Sequence, residues 1–123
     1  MKSDITLYTF ADESVEKLES QINIFIRTEG VRRETLSQEP KLTVSNGVPL
    51  VSMMLIKSVF MSEDTIRVRL FEGTLTEIEE QLNIHLRKEV ITTKHLITHD
   101  VAYKDDGVYV AMIAYSKMLT TGN

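Results

Sequence analysis

The chain contains the same pattern twice. The stretches "SQINIFIRTE" and "EQLNIHLRKE" lie sixty positions apart, Gln21 against Gln81, and a fixed internal period constrains a fold more than any local propensity does. The match extends beyond the helical segments. "ITLYTF" from Ile5 corresponds to "IRVRLF" from Ile66, both short runs rich in β-branched and aromatic residues that read as strands. Each is followed by apolar residues at helical spacing: Val15, Leu18, Ile22, Phe25 and Ile26 in the first half, Leu75, Ile78, Leu82, His85 and Leu86 in the second. Asp12 or Ser14 supplies a start signal for the first helix, and Thr74 with Glu77 forms a capping-box pattern for the second.

Behind each helix come an extended stretch and a hairpin signal, Asn46-Gly47 and Asp106-Gly107, since such turns need the positive φ that Asn, Asp and Gly tolerate. Each half therefore reads as β-α-β-β, the first over 5–59 and the second over 66–117, with "MSEDT" from Met61 as the joint. At about sixty residues without disulfides, neither half should bury enough surface to stand alone. The expected fold is α+β, one domain over 1–123, in which the repeats share a six-stranded, mainly antiparallel sheet with two helices on one face. The closing strands "VPLVSMMLI" and "VYVAMIAY" are apolar at both alternating registers. A sheet open to water on one face would alternate, so the second face is expected to meet another copy, a partner or a ligand, and a homodimer is the expected assembly.

On a helical wheel centred on Ile22, Ile24 falls about 200° from the buried face, and Ile84 does the same in the second helix. Lone exposed apolar residues are ordinary; recurrence at one place in both repeats marks these two as candidate partner-binding anchors. Beside them run Glu19, Asn23 and Arg27, and again Glu79, Asn83 and Arg87, at i, i+4 spacing. A solvated ladder accounts for such spacing; the functional reading makes Asn23, Asn83, Arg27 and Arg87 a polar frame for the anchors, with arginine a frequent hot-spot residue. Arg32 and Arg33, which have no counterpart in the second half, are candidates for contact with an anion.

Composition excludes much else. With no cysteine, disulfides and thiolate metal sites are impossible. A net charge of −4 argues against direct nucleic-acid binding. No apolar run spans a membrane and "MKSDITLYTF" lacks a secretory pattern, so a cytoplasmic location without membrane contact is expected. His85 sits on the apolar helix face as a packed imidazole. His95 and His99, read as lying on one strand, would be some 13 Å apart, too far for one ion with ligands at about 2 Å; Asp100 does not rescue a metal site. Gly-rich phosphate loops, His-Glu-x-x-His and Gly-x-Ser-x-Gly are absent, so the expectation is a protein that is not an enzyme and carries no cofactor.

The strand ending in Leu-Phe, the acidic helix "EIEEQLNIHLRK" and the closing "VAMIAY" resemble the single unit of a family of small sporulation-associated proteins of firmicute bacteria, with homologues in their phages. The likeness covers Ile66 to Lys117 best and Ile5 to Lys57 more loosely. It implies a β-α-β-β module, a Gram-positive or phage setting and assembly through pairing of units, and it carries no activity or site residues. The functional expectation is a small acidic protein-binding modulator, encoded by a phage or mobile element, that inhibits a host nucleic-acid enzyme, an anti-CRISPR protein being one instance. Two alternatives are an oligomer that binds or sequesters a small molecule and a self-assembling structural component.

Overall fold

The computed structural model describes residues 4–57 and 65–116. Most of the expected joint "MSEDT", and the outermost residues of both repeat boundaries, lie outside the described residues. The element order is β1 (Ile5–Ala11), α1 (Val15–Glu29), β2 (Leu36–Ser45), β3 (Val48–Ile56), β4 (Arg67–Gly73), α2 (Leu75–Lys88), β5 (Leu96–Asp105) and β6 (Val108–Tyr115), with a short 3-10 turn over Arg33–Thr35. This is the duplicated β-α-β-β pattern and the α+β class that the repeat demands.

Local chemistry sets the boundaries. Ser14 caps α1 by accepting from the Lys17 backbone N–H at 3.3 Å, and Asp12 braces the cap by accepting from the Ser14 N–H at 2.9 Å. At α2 the box closes in both directions, Glu77 N–H to Thr74 Oγ1 and Thr74 N–H to Glu77 Oε1. The backbone bond from Thr74, with a smaller contribution from its hydroxyl, holds the Glu77 carboxyl below the usual carboxylate range. Both hairpins turn through consecutive left-handed residues, Asn46-Gly47 at φ 52° and 76° and Asp106-Gly107 at φ 45° and 76°, the geometry that matches the twist of the flanking strands.

The strands form two three-stranded antiparallel sheets, β1-β3-β2 and β4-β6-β5, where one six-stranded sheet was expected. The registers are equivalent: Tyr8 pairs with Met53 as Arg69 pairs with Ile113, so β1 maps onto β4 with an offset of sixty-one and β3 onto β6 with an offset of sixty. β2 and β5 run close together without forming a backbone ladder. Between them the Leu42 N–H donates to the Asp100 carboxylate at 2.9 Å, a side chain standing in for the strand partner.

The helices do not share a face. Leu18, Ile22 and Ile26 of α1 join one core with Val51 and Met53 of β3 and with Val68, Leu70, Val110, Met112 and Ala114 of the second sheet. The alternate residues of that sheet, Phe71, Ala111, Ile113 and Tyr115, form a second core with Ile78 of α2, against which Leu82 and Leu86 pack. Side chains alternate across a strand, so α1 and α2 cover opposite faces of β4-β6-β5. This explains the two-sided apolar pattern of β6 inside the chain: one face meets its own helix and the other meets the first repeat. Residues Val110 to Tyr115 are accordingly all buried. No external partner is needed for that strand, contrary to the expectation drawn from its sequence.

Candidate interaction surfaces

The polar ladder of α1 has become an internal joint. The Asn23 amide pairs with both backbone groups of Val68, its Nδ2 donating to the carbonyl at 2.8 Å and its Oδ1 accepting from the N–H at 3.0 Å. One turn earlier, Glu19 accepts from the Leu70 N–H at 2.7 Å and lies 3.4 Å from the Arg69 guanidinium. The Val31 carbonyl adds a bond from the Ile66 N–H. α1 thus closes the outer edge of β4 with side chains, satisfying groups that would otherwise need a further strand or water. Asn23, expected to face a partner, is occupied here, and Glu19 binds the strand edge where a solvated ladder was expected. Among the described residues the same three residue types in α2 meet no strand: Glu79, Asn83 and Arg87 are all exposed.

Ile24 and Ile84 stand where the wheel places them, each 53% exposed. Every residue three or four positions away on either side is exposed and polar: Ser20, Gln21, Arg27 and Thr28 around Ile24, Glu80, Gln81, Arg87 and Lys88 around Ile84. Each isoleucine is therefore an isolated apolar point in a wet, polar ring, on an exposed helix face.

The arginine pair divides. Arg33 Nη2 donates to the backbone carbonyls of Lys94 at 3.1 Å and His95 at 2.8 Å, so it clamps the first repeat onto the loop before β5. Its neighbour Arg32 is buried, pairs with Glu34 through Nε at 3.2 Å, and lines a cavity of about 320 Å³ with Tyr8, Thr35 and Leu55 among others. Arg27 lines a second cavity of about 340 Å³ between α1 and β4, together with Glu19, Arg67, Arg69 and Glu89. Lys104 is a further tie between repeats, donating to the Glu13 carbonyl and meeting the Glu72 carboxylate.

The histidines have separate surroundings. His85 packs edge-on to Phe71 and beside Tyr115, whose hydroxyl lies 3.4 Å from Nε2. Burial first, then the Arg69 charge, lowers the His85 pKa below its usual value; burial likewise raises that of Tyr115. His95 lies in the turn before β5, its Nδ1 accepting from the Thr92 N–H at 3.0 Å, so it is not on a strand with His99. Among the described residues no group of His, Asp or Glu is placed to hold a metal ion, and no helix is long and apolar enough to cross a membrane. Comparison of the chain with family models, curated proteins and solved structures finds no match.

Proposed function

We propose that this chain is a non-enzymatic, protein-binding modulator whose anchors are Ile24 and Ile84. The observation that carries the reading is the matched exposure of the two isoleucines, each ringed by polar residues at i±3 and i±4. An apolar centre inside a hydrated polar rim is the arrangement in which burial on binding concentrates free energy, because the rim excludes water from the contact. Arg27 and Arg87 stand at the same place beside each anchor and supply directional donors. Asn83 completes the frame on α2 only. The net charge of −4 favours encounter with a basic surface. A nucleic-acid enzyme of a firmicute host is such a surface, and the phage or mobile-element setting rests on the resemblance to the sporulation-associated family.

The test is affinity capture from a firmicute lysate by the tagged protein and by its Ile24→Lys/Ile84→Lys variant, with light scattering of each eluate. A stoichiometric basic host protein, held by the parent chain and released by the variant while the melting temperature stays unchanged, supports the reading. Equal retention by both chains, or an eluate containing this protein alone, removes it.

A further inference from the structure

The joint inside the chain is directional: the helix of the first repeat takes the strand edge of the second. Applied once more, the same operation asks for a strand edge beyond α2, and the chain has one to offer at its other end. β1 is an edge strand of its sheet. Its register makes Leu7 the equivalent of Val68 and Thr9 the equivalent of Leu70. Backbone groups at equivalent register point the same way, so Leu7 and Thr9 direct theirs outward, as Val68 and Leu70 do toward Asn23 and Glu19. The exposures mark the vacancy: Val68 is 0% and Leu7 54% exposed. On the other side, α2 keeps Glu79 and Asn83 at the helix positions of Glu19 and Asn23, exposed among the described residues. Asparagine is a weak helix former in a helix interior, and in α1 its presence is explained by the strand it binds.

We propose that α2 of one chain takes the outer edge of β1 in a second copy, with Asn83 pairing with the backbone of Leu7 and Glu79 accepting from the Thr9 N–H, so that chains join head to tail. The occupant is a second copy because the surface it must match is the one already matched once within the chain. The apolar face behind β4 and β6 is buried against α1, whereas its equivalent in the first sheet, with Leu50, Met54 and Ile56, is still partly exposed. Docking of α2 would cover both the edge and part of this face. One difference sets the strength: Tyr8 stands where Arg69 pairs with Glu19, so the joint between copies lacks that ion pair and is weaker than the internal one. A heterologous contact of this kind closes into a ring or extends as a filament. Ile24 and Ile84 lie outside the joint and Asn83 alone enters both readings, so the Ile24→Lys/Ile84→Lys variant separates this inference from the partner-binding proposal.

Sedimentation and light scattering of the full chain test it, with Asn83→Ala blocking the helix side and Leu7→Lys blocking the strand side. Both positions are exposed, so both variants should keep the parent's fold by circular dichroism. The expected result is a parent mass that is a multiple of the 14.1 kDa chain, 14.1 kDa for each variant alone, and a capped one-to-one pair when the two variants are mixed. Only a head-to-tail joint gives that rescue, since each variant retains the side that the other has lost. Ile24→Lys/Ile84→Lys should assemble like the parent. A parent chain that remains at 14.1 kDa across concentration, a variant with the parent's mass, or a mixture that fails to pair overturns the proposal.

Discussion

α1 and α2 are written with nearly the same residues and have different surroundings. Leu18, Ile22 and Ile26 of α1 are at most 1% exposed, while of their equivalents in α2 only Ile78 is buried and Leu82 and Leu86 are half-buried. α1 lies between its own sheet and the second one; α2 has a sheet on one side and solvent on the other. Burial here belongs to the place a repeat occupies in the molecule, so equal sequence does not imply equal energetic weight. The largest effect that sharpens this comparison is truncation of the central core residue of each helix. Ile22→Ala should cost about 3 to 4 kcal/mol, because the site is closed on all sides and cannot collapse. Leu82→Ala should cost roughly half that, since part of the side chain already meets water. Urea unfolding of both variants checks the ratio; equal losses would break the comparison.

Next in size is the paired asparagine test. Asn23→Ala strands the Val68 N–H and carbonyl beside a helix, which should cost about 1 to 3 kcal/mol. Among the described residues Asn83 is exposed with its side chain in no hydrogen bond, and Asn83→Ala improves helix propensity by about 0.5 kcal/mol, so unfolding of dissociated chains should be unchanged or slightly harder. Thermal denaturation at low protein concentration separates this effect from any loss of assembly.

The ends of the helices give a smaller contrast. α1 stops at Gly30, φ 65°, a left-handed position that glycine occupies without strain. Its equivalent after α2 is Val90, φ 52° and 62% exposed. A β-branched residue in that region is strained by about 1 to 2 kcal/mol, and this one recovers little by burial. Val90→Gly should therefore raise stability by about 0.5 to 1 kcal/mol after the extra chain entropy of glycine is subtracted. Gly30→Val should lower it by about 1 to 2 kcal/mol, and opposite shifts in the urea midpoint would establish the pair.

Much of this architecture is legible in the sequence because it follows from local rules. The repeat, both hairpin turns, the Thr74 cap and the outward direction of Ile24 and Ile84 each depend on residues within a few positions of one another. What escaped was set by the packing of one repeat on the other. Asn23 and Asn83 are indistinguishable on a wheel, and the strand edge that occupies one of them lies forty-five residues away. The doubly apolar β6 signalled two covered faces correctly, but nothing local says whether the second cover comes from another molecule or from the same chain. Arg33 was misleading for a similar reason: a free-looking guanidinium is a donor in search of acceptors, and the carbonyls of Lys94 and His95 are supplied by a distant loop.

The smallest effect concerns the position at which a phenylalanine of the first repeat becomes a titratable histidine in the second. Phe25 of α1 packs on Tyr8 and Phe10; His85 takes its place in α2, against Phe71, with Arg69 where Tyr8 would be. Burial and Arg69 both disfavour the imidazolium, so the folded-state pKa lies below the usual 6.5. The unfolded chain then binds a proton more readily than the native one as pH falls below about 6.5. Stability associated with His85 is fully present above that pH and is lost as pH drops through the folded value. His85→Phe, which restores the first repeat's residue, should abolish this loss. Urea midpoints of parent and variant should therefore diverge as pH falls below the usual histidine value, with the variant gaining relative to the parent as acid is added. Because the carboxylates titrate in both proteins, the difference between the two profiles isolates the imidazole. Parallel profiles would mean that the site opens to let the imidazolium reach water, and that the second core is looser at its outer side than the packing of His85 against Phe71 and Tyr115 implies.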